Sequence, residues 1–192
     1  MKIKTKQLTQ MAVLAAMSIL LVYLIHFPIF PAAPYLEYDP ADIPIFIGAF
    51  MFGPIGGLIL AAVAAIIQGL TVSSASGVIG IVMHFFATGS FVLVAGLIYQ
   101  KNRSRKGAVI ALIAGAITMT VMMVIWNLVF TPIFLGMPRE AVIPMILPII
   151  VPFNLLKAGI NGAITFVIYK SVSKVLGLEI NEVNVAKENN AL

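Results

Sequence analysis

The sequence contains no cysteine, which excludes a disulfide framework, a thiol nucleophile and a cysteine-ligated metal. Charged residues are also scarce, at 10% of 192 residues, against roughly 25% in an average soluble domain. The chain has no HExxH motif, no GxSxG elbow, no Walker A loop and no paired carboxylates within an apolar run. These absences indicate that the protein is not an enzyme and does not hydrolyse ATP itself.

Apolar residues are what the sequence has in excess. They make up 61% of the chain, and the mean hydropathy is +1.08, well above the roughly 45–50% apolar content of soluble domains. The first apolar run lacks a small-residue cleavage site and is followed by several more runs, so it is read as a retained helix and not as a signal peptide. The composition predicts an integral membrane protein.

The apolar runs are separated by polar or proline-bearing loops, a pattern that predicts an all-α membrane protein built as a six-transmembrane-helix bundle. Gly53 and Pro54 are expected to divide the second span from the third. Residues 1–176 then form one membrane domain, and the polar residues 177–192 are expected to be a disordered cytoplasmic tail. The predicted spans cover about residues 8–27, 43–53, 54–72, 78–99, 108–130 and 148–176.

The positions of the basic residues predict the topology. Six spans place both termini on one side, and the loops on the opposite side contain a single basic residue outside the spans, Arg139. By the positive-inside rule, both termini are expected in the cytoplasm. The basic residues on the cytoplasmic side would be Lys2, Lys4, Lys6, Lys101, Arg103, Arg105, Lys106, Lys170, Lys174 and Lys187.

The stretch NLLKAGIN places three polar residues inside the last apolar run. Asn154, Lys157 and Asn161 follow i, i+3, i+7 spacing, so on a helix they share one face. Charged residues in spanning helices usually face a bundle interior or a wet cavity, which favours a common cavity near the outer end. The alternative is that Lys157 reaches the interface while the asparagines bond neighbouring helices. Asn127 in the fifth span either faces the same cavity or packs between helices.

The segment YLEYDPADIP (35–44) concentrates three carboxylates among tyrosines and prolines. Restricted backbone, stacking faces and hydrogen-bond acceptors together suit a lid over an aromatic ligand with polar edges, although a merely solvated outer loop is the alternative. His84 has no second histidine or acidic residue at metal-ligand spacing on its helix. We therefore interpret His84 as an interior or interfacial histidine and expect no metal site.

Two motifs resemble those of a known family. YLEYDPADIPIFIGAFMFGPIGG (35–57) and FNLLKAGINGAITFVIYK (153–170) are similar to segments of the riboflavin-specific substrate-binding (S) subunits of energy-coupling factor (ECF) transporters, the RibU family. The resemblance implies six helices in a bacterial cell membrane and capture of riboflavin at the outer face. ATP would be hydrolysed by two cytoplasmic ATPase subunits, which act through a transmembrane coupling subunit. Riboflavin would be cargo and not a cofactor. The binding residues implied are Leu36, Glu37, Tyr38, Asp39, Asn127, Asn154, Lys157 and Asn161.

A pair of small residues in the first span is a candidate contact site for another helix. Ala12 and Ala16 lie four residues apart, a spacing that lets helix backbones approach closely in lipid. The pair either packs within the subunit's own bundle or, as the resemblance implies, meets the coupling subunit.

For the function as a whole, the alternatives are an S subunit for another vitamin such as thiamine or folate, a membrane enzyme, or a small channel. Phe85, Trp126, Phe130 and Phe153 are the aromatic residues expected as walls for the ligand.

Overall fold

A computed structural model describes residues 5–176, so the expectation for the tail at 177–192 lies outside the described residues. Within that range the protein is all-α apart from a two-residue ladder, and five helices are long and apolar enough to cross a membrane, one fewer than the predicted count. The helices are α1 (Thr5–Leu24), α2 (Asp42–Leu70), α3 (Gly77–Lys101), α4 (Arg105–Leu135), the short α5 (Arg139–Val142) and α6 (Val151–Val175).

Helix α2 is interrupted at Gly53, whose φ of 79° and ψ of −178° are not helical. A Cβ placed on Gly57 would lie 2.7 Å from the Cβ of Ala49, whereas residues eight apart in a straight helix are about 12 Å apart. The chain therefore reverses direction at Gly53 and Pro54, and the two halves of α2 pack against each other. Glycine suits the reversal because a positive φ costs it nothing.

The first half of α2 forms the centre of the bundle. Every residue from Asp42 to Phe50 is buried, as expected for a helix that is surrounded on all sides. The ring of Phe46 stacks on Phe91 of α3 with centroids 3.6 Å apart. Phe50 contacts Tyr99 of α3 and Tyr169 of α6, with centroid distances of 4.1 and 5.6 Å. This segment thus joins helices that are distant in sequence.

Both ends of the described chain lie at the same end of the bundle. The Gln10 side chain donates a hydrogen bond from Nε2 to the carbonyl of Leu176 at 2.6 Å. The reversal at Gly53 packs near Gln100 of α3, at this same end. We call it the terminal end, and we call the opposite end, which contains residues 25–41, 71–76 and 136–145, the loop end.

Loop 25–41 folds back onto the bundle. Its two-residue strands β1 (Phe27–Pro28) and β2 (Glu37–Tyr38) pair antiparallel. Ser18 of α1 donates a hydrogen bond to the carbonyl of Ala41 at 2.7 Å, which anchors the end of the loop. The loop is therefore part of the packed structure at the loop end.

The sequence predicts a single span that begins near residue 148. In the structure, the chain before α6 is helical but irregular. A 3₁₀ turn (Ile143–Met145) and a π-helical turn (Ile146–Ile150) connect α5 to α6. Pro148 and Pro152 cannot donate backbone hydrogen bonds, which explains why regular α-helical bonding is not continuous here. The irregular segment delivers the start of α6 to the loop end.

Candidate ligand-binding site

A cavity lies at the loop end between α2, α3, α4, α6 and loop 25–41. Its walls are mainly apolar, with methionines and alanines between the polar groups. Six of the eight predicted binding residues line it, and Tyr38 and Asn161 do not. The lining consists of Tyr35, Leu36, Glu37, Asp39, Ala65, Gln68, Gly69, Ser73, Ser76, Ile79, Gly80, Met83, His84, Ala87, Thr88, Met119, Met123, Asn127, Thr131, Phe134, Phe153, Asn154 and Lys157.

A buried ion pair joins the loop to the last helix. The Lys157 ammonium lies 2.7 Å from Oδ2 of Asp39, and both side chains are largely withdrawn from solvent. The other carboxylate oxygen of Asp39 accepts a hydrogen bond from the backbone N–H of Ala41 at 3.0 Å. Charge-assisted bonds of this kind are stronger than neutral ones. The pair fixes the position of Asp39 at the cavity wall.

Asn161 and Tyr38 support this pair from behind the cavity wall. The Tyr38 hydroxyl donates to Oδ1 of Asn161, and Nδ2 of Asn161 donates to the Asp39 carbonyl, both at 3.0 Å. Burial and then the nearby Asp39 charge raise the pKa of Tyr38 above its ordinary value, so the hydroxyl remains a neutral donor. Asn161 therefore holds the loop in place and does not open into the cavity.

Asp42 forms a second polar group next to the first, and sequence reasoning did not assign it to the site. Its fully buried carboxylate accepts a hydrogen bond from the Thr88 hydroxyl at 2.7 Å. Nε2 of His84 is 3.5 Å from the same oxygen, too far for a well-formed bond. Thr88 and His84 both line the cavity. The histidine that the sequence predicts to be interior or interfacial is therefore part of the cavity wall.

Asn127 and Asn154 are both buried and both line the cavity. Asn127 donates to the carbonyl of Met123 at 2.8 Å and accepts from the Thr131 hydroxyl at 2.7 Å. Asn154 donates to the carbonyl of Ile150 at 2.8 Å. Each amide carries two N–H donors, so each has hydrogen-bonding capacity beyond these bonds.

Leu36 and Glu37 bring the loop to the edge of the cavity. Leu36 is buried and packs in a small cluster with Ala33 and Phe153, while Glu37 is exposed. Of the four aromatic residues that were expected to form cavity walls, only Phe153 lines the cavity. Trp126 instead stacks on Phe130, with ring centroids 5.1 Å apart. The apolar lining comes instead from Tyr35, Met83, Met119, Met123 and Phe134.

Ala12 and Ala16 lie away from the cavity, on a face of α1 that is exposed in the isolated chain. The neighbouring residues Met11, Leu14 and Ala15 are buried against the bundle. Within residues 5–176 the alanine pair therefore does not pack against the chain's own helices, and this face is free to meet lipid or another protein.

The arrangement suits binding of an uncharged or zwitterionic organic molecule. Apolar walls with a few convergent polar groups are typical of small-molecule sites. No cluster of three or more histidine or acidic side chains in residues 5–176 is arranged to hold a metal ion. A membrane-embedded cavity under an anchored loop defines a membrane protein that binds a small solute.

The family is shown by comparison with known proteins. Residues 6–169 match the sequence model of the family described as ECF transporter, substrate-specific component. The chain belongs to this family, whose members are transporter components and not enzymes.

Individual relatives agree with this assignment. The chain is 31% identical over 140 residues to the riboflavin transporter FmnP of Bacillus subtilis (strain 168), covering 69% of this chain and 73% of the relative. It is 31% identical over 149 residues to the riboflavin transporter RibU of Staphylococcus aureus (strain TCH60), covering 74% and 78%. A solved S component of a bacterial ECF transporter superposes with a TM-score of 0.76 at 31% identity, covering 89% of this chain and 97% of that one.

Proposed function

We propose that this chain captures riboflavin in the cavity at the loop end, as the substrate-binding subunit of an ECF-type vitamin importer. The observation that carries the proposal is the cavity itself, in which Lys157, Asp39, Asn127 and Asn154 present polar groups between apolar walls. Two of the relatives are named as riboflavin transporters, which supports the choice of ligand.

The chemistry of riboflavin fits these walls. Its isoalloxazine is flat and largely apolar, and its imide edge offers both hydrogen-bond donors and acceptors. Asparagine side chains offer both in return, and the Lys157 ammonium donates only. Methionine side chains adapt to the faces of an aromatic ring, which suits the positions of Met83, Met119 and Met123.

Charge supports an orientation with the cavity facing outward. The described basic residues of the connections and helix ends, including Lys101, Arg105 and Lys174, lie at the terminal end, whereas Arg139 lies at the loop end together with Glu37 and Glu140. The positive-inside rule then places the terminal end in the cytoplasm of a bacterial cell. Uptake would be driven by a transmembrane coupling subunit and two cytoplasmic ATPase subunits.

The reversal in α2 supports a count of six membrane helices. The halves before and after Gly53 run in opposite directions, since Ala49 and Gly57 lie side by side. With the halves counted separately, α1, the two parts of α2, α3, α4 and α6 make six segments in one membrane domain of residues 1–176. Both termini then share one side.

Binding titrations test the proposed ligand. Purified protein should quench flavin fluorescence at one riboflavin per chain and should return the vitamin chemically unchanged. Thiamine and folate, added in excess as competitors, should not restore the fluorescence. Displacement by thiamine or folate would favour an S subunit for another vitamin, and chemical conversion of riboflavin would indicate an enzyme.

Tyr38→Phe should raise the dissociation rate of riboflavin about 2- to 10-fold, because it removes one hydrogen bond that holds loop 25–41 to Asn161, worth roughly 0.5–1.5 kcal/mol. The association rate should change less, since substitutions within one binding site act mostly on dissociation. Stopped-flow fluorescence measures both rates. Tyr23→Phe is the matched control, because Tyr23 is 70% exposed. Equal dissociation rates in the two variants would contradict the role assigned to this bond.

A further inference from the structure

Gln68 is a buried amide at the cavity that neither the fold nor the proposed contacts explain. It lies in the second half of α2, is only 6% exposed and lines the cavity. Its Nε2 donates to the hydroxyl oxygen of Ser73 at 3.3 Å, but its Oε1 is buried and has no hydrogen-bond partner among residues 5–176. Buried polar atoms are nearly always paired, so an unpaired acceptor at a ligand cavity indicates a place for a donor from the ligand.

The segment that follows α2 is built around this glutamine. The backbone N–H groups of Thr71 and Ser73 both donate to the Gln68 carbonyl, at 3.2 and 2.9 Å. The bonds hold Ser73 beside the Gln68 amide, and both Ser73 and Ser76 line the cavity. Because the Ser73 oxygen accepts from Gln68, its own O–H remains available to donate.

An acceptor next to a donor is complementary to a hydroxyl group. A ligand hydroxyl can donate to Oε1 of Gln68 and accept from Ser73 at the same time. This part of the lining carries no lysine or arginine, which disfavours a phosphate or carboxylate. The groups expected to meet the ring edge come from other elements, with Asn127 on α4 and Asn154 and Lys157 on α6.

We propose that Gln68 and Ser73 form a subsite for a hydroxyl of the ligand's sugar-alcohol side chain, separate from the groups that hold the ring edge. This inference rests on riboflavin being the ligand, and it assigns riboflavin's ribityl chain to the wall formed by α2 and the Ser74–Ser76 turn. The subsite makes the cavity selective for flavins that carry a polyol.

The test compares two flavins that differ in the side chain. Lumiflavin has the same ring system with a methyl group in place of the ribityl chain. Gln68→Leu should weaken riboflavin binding about 10- to 100-fold, as expected for loss of one or two hydrogen bonds to a buried group, and should change lumiflavin binding less than about 2-fold. Gln10→Leu makes the same change at a buried glutamine of the terminal end and should alter neither affinity.

Ser73→Ala provides a second variant in the connecting segment. It should weaken riboflavin several-fold and leave lumiflavin unchanged. Unaltered riboflavin affinity in both Gln68→Leu and Ser73→Ala would overturn the subsite. So would loss of both flavins in Gln68→Leu combined with unaltered riboflavin affinity in Ser73→Ala, because Gln68 would then only support the wall. Wild-type protein that binds neither flavin would overturn the proposed function itself, whereas wild-type protein that binds riboflavin and lumiflavin equally overturns the subsite alone.

Discussion

Lys157→Met is expected to weaken riboflavin binding by at least about 100-fold. The substitution removes a donor from the cavity wall and leaves the Asp39 carboxylate buried without its partner. Removal of one member of a buried ion pair typically costs about 3–5 kcal/mol, more than an exposed pair would. Part of this cost falls on binding, because Asp39 and loop 25–41 form one wall of the cavity. Flavin fluorescence quenching with purified protein gives the dissociation constant.

A double variant separates the two roles of Lys157. Asp39→Asn combined with Lys157→Met removes both charges, so no unpaired carboxylate remains. Recovery of wild-type affinity in the double variant would mean that Lys157 acts only by holding Asp39. Affinity that stays low would mean that Lys157 or Asp39 also contacts riboflavin. Lys106→Met, at the terminal end, is the control for loss of a positive charge, and an unchanged affinity in Lys157→Met would contradict the site as described.

Ala12→Trp and Ala16→Trp are expected to abolish ATP-dependent riboflavin uptake while the isolated subunit binds riboflavin with near wild-type affinity. Both alanines are exposed on α1, so an indole there does not disturb the chain's own packing but prevents close approach of another helix. Co-purification with the coupling subunit and uptake by cells measure the two effects. The cavity lies at a distance from this face. Riboflavin binding by the isolated subunit therefore shows whether its fold is intact.

Ile117→Trp is the matched control for the alanine variants. Ile117 lies on α4 and is 55% exposed, so the added ring meets lipid without a proposed partner. Uptake should remain normal in this variant. Normal uptake in Ala12→Trp and Ala16→Trp would mean that the pair faces only lipid. Loss of riboflavin binding in the same variants would mean that the substitutions disturb the subunit itself.

Much of the site could be predicted because polar residues are rare in apolar runs. Lys157 and Asn154 were recognisable by their shared helix face, and the acidic loop was recognisable by its composition. The pairing of Lys157 with Asp39, 118 residues away in sequence, depends on tertiary packing and has no local signal. For the same reason the spacing of Asn161 indicates a helix face shared with Lys157 but does not show that Asn161 bonds the loop behind the cavity wall.

The aromatic walls were harder to predict because neighbours in a helix point about 100° apart. Trp126 is one of the four aromatic residues expected as walls, yet its neighbour Asn127 lines the cavity and Trp126 does not. Gln68 is difficult to predict for a different reason. It is a single amide near the end of an apolar run, so nothing in the sequence distinguishes it from a polar residue at a helix boundary. Only the cavity and the unpaired Oε1 identify it.

The reversal at Gly53 has a consequence for how the chain enters the bilayer during synthesis. The segment from Asp42 to Phe52 is 11 residues long, or about 16 Å, roughly half the hydrocarbon thickness of about 30 Å. It also contains Asp42, which is costly to expose to lipid before Thr88 of α3 is present to bond it. We therefore expect the translocation machinery to release this segment only together with the helices that follow it, as one unit of biogenesis.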